Sequence, residues 1–316
     1  MKLKTYQQFL NEAKQPIDLH KIYLVYNPDL GHRFWTYKDF AADKYFVRLT
    51  PENYKKIDID KNLPVLTYHS DTCQMLIDEG LIKEENVYNH PKFIKNSGSK
   101  AKFHKLVDGD ENIPKTCHKK EDAINEIGFP MIAKPAEGHS GIGICVIKNQ
   151  KQFDDAPHDK LDVYSKFIDK ESEHRFFTFK GKPIFWQVRE PVNDKAKNGD
   201  GDSDENMQFN YHKKRLDETP EKFKTLIAKF GKMFSDLPFI CFDIMEDKKG
   251  KLYVIESNAM PGVPFDTTVD MYKTIFEDFY GRPVDKSTEI KLQEYADFML
   301  EKSKKMDGGK RFTYDK

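Results

Sequence analysis

No apolar run in this chain approaches the roughly 20 residues that a bilayer-spanning helix needs, which excludes a helical membrane protein. The N-terminal residues also lack a secretory apolar segment. Cysteine is scarce: Cys73, Cys117, Cys145 and Cys241 stand far apart, with no CxxC pair. That spacing excludes a zinc ribbon or a disulfide framework and reads as reduced core thiols in a cytoplasmic setting. An excess of either charge is absent too, because 52 Lys and Arg balance 52 Asp and Glu. No global field then draws the chain to nucleic acid or to an anionic membrane. Neither a Walker A sequence nor a Rossmann GxGxxG is present, and no Ser-His or Cys-His constellation marks a nucleophile. Internal repeats are missing as well.

What is present is a polar chain rich in aromatic residues. Hydrophobic content is 38% and charged content 33%, but 24 Phe and 15 Tyr carry enough apolar area for a core. The 316 residues allow two or three domains.

The most informative stretch is 239–262, FICFDIMEDKKGKLYVIESNAMPG. It reads as two buried strands, 239–245 and 252–258, joined by the turn Asp247-Lys248-Lys249-Gly250. Alternation places Cys241, Asp243 and Met245 on one face and Ile240, Phe242 and Ile244 on the other. In the second strand, Glu256 and Asn258 share a face with Leu252 and Val254. Pairing near Glu246 and Lys251 would set Asp243 diagonal to Glu256, about 7–8 Å away. Two carboxylates and an amide on an apolar hairpin are costly without a partner. A divalent cation would offset that cost, and these hard oxygen donors suit Mg²⁺. Asp243, Glu256 and Asn258 are therefore the candidate metal ligands.

Upstream, 21–26, 45–49 and 64–68 are short apolar strand candidates, and 71–81 reads as a helix capped by Ser70 or Asp71. Strands alternating with helices predict a small, partly parallel sheet. Asn27, Asp29, His69 and Asp71 follow strands and are candidate substrate contacts or plain loop residues. The spacing predicts further helices over 100–107, 120–127, 220–237, 267–280 and 288–304. The 220–237 stripe of Phe223, Leu226, Ile227, Phe230 and Phe234 reads as core.

Two strands flank the loop Gly138-His139-Ser140-Gly141-Ile142-Gly143. Glycines let backbone amides approach an anion closely. Lys134 sits in the apolar strand before this loop and needs a negative partner, which a nucleotide phosphate supplies. Arg189 ends an apolar strand and faces either a cleft or a surface ion pair. The loop at 193–210 contains DGDSDEN but fails the calcium-loop register, with Glu205 where glycine should stand. It reads as a mobile loop or lid. The basic cluster at 211–216 reads as a solvated face or a phosphate contact.

This order of parts resembles the ATP-grasp superfamily, in the carboxylate–amine ligase branch that includes D-alanine–D-alanine ligase and ribosomal-protein glutamate ligase. The resemblance covers about residues 97–262. It implies an α/β (α+β) fold in which two α+β subdomains grip ATP, preceded by a small Rossmann-like domain. The implied units are 16–96 and 97–285, the latter split near 163, with a leader at 1–15 and a C-terminal helix and tail at 286–316. Residue by residue, Lys102, or Lys100 in its place, matches the first nucleotide-binding lysine and Lys134 the second. Gly138, His139, Ser140, Gly141 and Gly143 match the loop over the phosphates. Lys166, Phe167 and Ile168 match the adenine hinge, and Glu171 or Glu173 the ribose contact. Arg189 matches the arginine that steadies the acyl phosphate. Asp243, Glu256 and Asn258 match the metal ligands. Lys166 stands where the hinge usually carries Glu, and the acceptor site does not transfer. The implied cofactors are ATP and Mg²⁺, with Mn²⁺ as a substitute. The implied partners are small-molecule or peptide carboxylates and amines, and the outcome is amide ligation. A kinase-like phosphorylation or nucleotide binding without turnover stays open.

Residues 1–15 carry an amphipathic pattern with Leu3, Tyr6, Phe9 and Leu10 on one stripe. The segment resembles the capsid-targeting leaders of internal head proteins in large tailed phages. Leu10-Asn11-Glu12 before Ala13 matches the prohead-protease site of that family. This resemblance implies a bacteriophage origin and packaging into a head. The bland alternative is a frayed leader helix.

Overall fold

A computed structural model of the chain describes residues 21–26, 46–97, 100–136, 143–191, 209–261 and 265–306. The expected leader, Asn27, Asp29, the Gly138-His139-Ser140-Gly141 stretch and most of the 193–210 loop lie outside these residues. Among the described residues, no helix is long and apolar enough to cross a membrane.

Three sheets organise the chain. The first joins β1 (Ile22–Val25), β2 (Phe46–Leu49), β3 (Val65–Thr67) and β4 (Val87–Tyr88) in the order β2-β1-β3-β4. Its pairings are all parallel, where the sequence predicts a partly parallel sheet. Parallel strands need cover on both faces. Tyr23, Val25 and Val65 pack against Cys73 and Leu76 of α1 (Ser70–Asp78), while Ile22, Leu24 and Leu66 join the core of the third sheet. The cap of α1 is His69, not Ser70 or Asp71. The His69 ring engages Thr72 Oγ1 at 2.5 Å but makes no side-chain bond to the helix amides, and the helix starts one residue earlier than the serine signal indicates.

The second sheet holds β5 (Thr116–Cys117), β6 (Met131–Lys134), β7 (Cys145–Ile147) and β8 (Val163–Lys166), in the antiparallel order β5-β8-β6-β7. Met131, Ala133, Ile147 and Tyr164 pack with Ala123 of α4 (Lys120–Glu126) and Phe153 of α5 (Gln150–Asp154).

The third sheet is antiparallel and carries the site. Its strands are β9 (Lys170–Phe179), β10 (Lys182–Pro191), β11 (Phe209–Lys214), β12 (Phe239–Asp247) and β13 (Leu252–Asn258), ordered β11-β10-β9-β12-β13. Residues 167–169 carry the chain from β8 in the second sheet to β9 in the third. A two-residue turn joins β9 to β10. Lys180 and Gly181 adopt φ of 47° and 74° there, the left-handed pair that a twisted hairpin requires.

The period of two in β12 sends alternate side chains to opposite cores. Ile240, Phe242 and Ile244 pack with Phe223, Leu226, Ile227 and Phe230 of α6 (Glu221–Met233), together with Ile94 of α2 (Pro91–Ser97) and Phe103 of α3 (Lys100–Leu106). Cys241 and Phe239 face Phe177 and Phe185, the first sheet, and Tyr272 and Ile275 of α7 (Phe265–Tyr280). Leu292 and Ala296 of α8 (Lys286–Met306) bury in the same cluster, so this helix belongs to the central core.

One polar residue clasps the first sheet to the site hairpin. Asn89, fully buried at φ 57°, donates to Phe239 O (2.5 Å) and Ala259 O (2.7 Å) and accepts from Phe239 N (3.0 Å). Tyr68 adds a hydroxyl bond to Pro261 O at 3.1 Å.

Candidate functional site

The hairpin differs from its predicted register in a way that tightens the site. Glu246 pairs with Leu252 rather than lying level with Lys251, and a bulge follows between Asp243 and Ile244. Asp243 therefore lies directly opposite Glu256, not diagonal to it. The bulge also inverts the expected facing of β13. Leu252 and Val254 bury in the α6 core, whereas Glu256 and Asn258 pair with Asp243 and Cys241 on the other face. Periodicity alone could not show this, because a bulge adds a residue without disturbing the apolar pattern around it.

Two like charges directly opposite one another are destabilising unless cations intervene. Arg175 on β9, in register with Asp243, supplies the first. Its Nε and Nη2 donate to Asp243 Oδ1 and Oδ2, each at 2.6 Å, in a bidentate fork. Arg189 on β10 donates to Glu173 Oε1 and lies 3.6 Å from Asp243 Oδ2. Lys170 closes on Glu173 Oε2 at 2.6 Å. Arg189 thus sits in a cleft network rather than in a surface pair.

Lys134 reaches this network from the second sheet. It ends β6 and is only 4% exposed. Burial pulls its ammonium below the ordinary lysine range, Glu256 opposes that pull, Lys100 adds to it, and Asp243 and Glu173 oppose it. Burial pushes the Asp243 carboxyl up, but the Arg175 fork and Arg189 hold it well below the usual carboxylate range. Glu256 moves the other way, raised by burial and by the Asp243 charge against Lys134, Lys100 and Arg175. Burial would likewise raise Glu173, yet Arg189 and Lys170 keep it low. Lys100, Lys134, Lys170, Arg175 and Arg189 outnumber Glu173, Asp243 and Glu256, so the cleft suits a polyanion.

The remaining predicted residues divide. Of the two candidate first lysines, Lys100 acts on Lys134 and Glu256, and its backbone N–H bonds Ala136 O at 3.0 Å; Lys102 is exposed. Gly143 (φ +77°) packs a hypothetical Cβ 3.3 Å from Pro135 Cγ, which ties the end of the glycine loop to the residue after Lys134. Lys166 is exposed, and Phe167 and Ile168 are half-buried. The Lys166 and Phe167 amides donate to Lys115 O (2.9 Å) and Pro130 O (3.3 Å). Glu171 is exposed, whereas Glu173 is buried in the ion network. Asn258 is exposed, and its Oδ1 accepts from Met260 N at 3.1 Å. His69 and Asp71 stand at the start of α1, beyond the C-terminal end of β3. In the basic cluster, Lys213 lies 3.9 Å from Asp270, an ion pair within the fold.

Sequence reasoning gave Arg175 no role. The signal was available: counting back by twos from Phe179 and Phe177 puts Arg175 and Glu173 on the site face. Asn89 and Gln187 gave no such signal, since neither stands out among polar loop and strand residues.

The donor set fits a divalent cation. Asp243 and Glu256 face one another across β12 and β13, Asn258 lies on the same face two residues on, and all three are hard oxygen donors. Among the described residues, no group of three or more His, Cys, Asp or Glu side chains is arranged to hold a metal ion, so the donor set is these two carboxylates and one amide. An open set of this kind leaves positions for a ligand's own oxygens.

No family model and no curated protein sequence matches the chain. Solved structures do. A D-alanine–D-alanine ligase from Bacillus anthracis aligns at TM-score 0.58 and 16% identity, covering 87% of this chain and 98% of that one. A RiPP-associated ATP-grasp ligase from Chryseobacterium gregarium, in complex with ADP and with a leader and core peptide, aligns at 0.56 and 14%, covering 83% and 97%. The N5-carboxyaminoimidazole synthetase from Staphylococcus aureus complexed with ADP aligns at 0.56 and 12%, covering 84% and 78%. The chain has the ATP-grasp fold. The phage-like leader lies outside the described residues.

Proposed function

We propose that this chain is an ATP-dependent carboxylate–amine ligase that forms an amide through an acyl phosphate and releases ADP and phosphate. One observation carries the reading. A buried lysine on one sheet faces a carboxylate pair on another, inside a fold whose solved examples include ligases holding ADP or ATP.

Asp243, Glu256 and Asn258 would hold Mg²⁺, or Mn²⁺ in its place, and the cation would supply charge neutralisation at the phosphate oxygens. Lys134 and Lys100 hold the phosphates from the second sheet, with Gly138, His139, Ser140, Gly141 and Gly143 folding over them. The hinge at Lys166, Phe167 and Ile168 receives adenine, with the Ile168 amide as the donor left after Lys166 and Phe167 bond within the fold. Glu171 or Glu173 meets ribose, and Glu173 is already engaged by Lys170 and Arg189. A substrate carboxylate oxygen attacks the γ-phosphorus and ADP leaves. An amine then attacks the acyl carbon, Arg189 stabilises the oxyanion, and phosphate leaves as the amide forms. Closure of the cleft keeps water from the acyl phosphate.

In this reading residues 16–96 form the substrate-side unit and 97–285 the nucleotide-binding unit. The carboxylate belongs to a small molecule or a peptide, and peptide substrates are supported by the peptide-bound neighbour. The setting is the cytoplasm. Untargeted mass spectrometry of a cell extract incubated with enzyme, ATP and Mg²⁺ tests the reaction. A new amide with one ADP and one phosphate per product supports it. A phosphorylated end product assigns the chain to phosphotransfer instead, and nucleotide binding without any product makes it a binding protein.

A further inference from the structure

Arg175 occupies the middle of a three-strand row. On one side, in register on β12, stands Asp243; on the other, in register on β10, stands Gln187. The three side chains share the site face, because Gln187 alternates with Phe185 and Arg189 along β10. Arg175 spends its Nε and Nη2 donors on Asp243. Gln187 is 3% exposed, and its Oε1 has no hydrogen-bond partner among the described residues. A buried amide oxygen without a donor is costly, and apolar Phe177 and Phe185 below it offer none. Directly across the strand pair stands Arg175, whose guanidinium has five N–H groups in a rigid fork.

Resting on the cation site proposed above, we propose that Gln187 is a positioning residue that receives the Arg175 guanidinium when a divalent cation takes Asp243. In the state seen here Arg175 neutralises Asp243 and covers both of its oxygens. A cation at Asp243 replaces that positive charge and repels the guanidinium. The Gln187 carbonyl then accepts it, so the arginine stays ordered on the site face instead of being expelled beside the phosphates. The row works as a two-position latch, with an acceptor on either side of one arginine.

Calorimetric titration with ADP, with and without Mg²⁺, tests this in the wild type, Gln187→Met and Gln187→Glu. Methionine keeps the volume and removes the acceptor, so the fold persists; a thermal melt checks that. The expected result is that Gln187→Met binds ADP alone as the wild type does but loses about tenfold or more of the Mg²⁺-dependent gain. Gln187→Glu retains that gain. By NMR, the Arg175 Nε–H resonance, assigned through its loss in Arg175→Lys, shifts on adding Mg²⁺ and ADP to the wild type and stays put in Gln187→Met. An undiminished Mg²⁺ gain in Gln187→Met overturns the latch and leaves the cation site standing. No Mg²⁺ gain in the wild type overturns the cation site and the latch with it.

Discussion

Replacing Asn89 with alanine is a direct probe of how the fold holds the site. Asn89 makes three buried hydrogen bonds to the ends of the site hairpin, at 2.5, 2.7 and 3.0 Å. Truncation strands the Phe239 amide and two carbonyls in a dry interior. At about 1 kcal/mol for each lost bond, the contacts come to roughly 3 kcal/mol. Asn89 also sits at φ 57°, where a Cβ-bearing residue without a local polar side chain costs about 1 kcal/mol more. Asn89→Ala should thus lose roughly 4 kcal/mol, a large share of the 5–15 kcal/mol typical of a folded domain. Asn89→Gly removes the same bonds without the backbone penalty and should recover about 1 kcal/mol of that. Urea unfolding followed by circular dichroism measures both. Because Ala259 adjoins Asn258, Mg²⁺-coupled ADP binding should weaken in either variant under native conditions. A loss below about 1 kcal/mol for Asn89→Ala would show that the clasp carries no weight.

Other expectations follow from the same geometry. Gly231→Ala places a Cβ 2.3 Å from the Gly181 backbone, and overpacking of this kind should cost about 1–3 kcal/mol, seen as a lower urea midpoint. Burial pulls the His174 pKa down to about 4, with Trp186 Nε1 donating to its Nδ1 at 3.2 Å. The unfolded chain binds that proton near pH 6.5 and the folded one does not, so stability is full above about pH 6.5 and falls by roughly 3 kcal/mol as pH drops towards 4. Burial moves His104 in the same direction, to about 3, so urea midpoints at pH 7 and pH 4.5 should differ clearly; equal midpoints would contradict the buried neutral histidines. Lys134→Ala should abolish Mg²⁺-dependent ATP turnover while circular dichroism stays native. Full turnover in that variant would remove Lys134 from the phosphate site.

Much of the site was legible because charge inside an apolar strand is rare and cannot be accidental in number. Lys134, Arg189, Asp243 and Glu256 all announce themselves that way, and all meet in one cleft. Alternation alone assigned Ile240, Phe242 and Ile244 to one core and Cys241 to the other. Register was not legible. It depends on where one extra residue is absorbed, and the bulge beside Asp243 leaves no mark in composition. Helix α1 begins at Ser70, a residue earlier than a serine cap would set it, and its cap His69 makes no side-chain bond to the helix amides, so no capping signal in the sequence marks that start. Lys102 and Lys100 could not be told apart in sequence, because they differ only in helix phase at the start of α3; Lys100 is the one whose charge acts on Lys134 and Glu256. Asn89 acts across 150 residues of chain, a separation that no local pattern encodes.

The proposed function requires a cation held by oxygen donors of the β12–β13 hairpin and shared with a nucleotide beside Lys134. Titrating the protein with ADP in a calorimeter, with Mg²⁺ and with a chelator, measures that coupling. The expected result is tight binding with Mg²⁺, much weaker binding under chelator, and loss of the difference in Glu256→Gln combined with Asn258→Ala. Equal affinity with and without Mg²⁺ in the unaltered protein would contradict it.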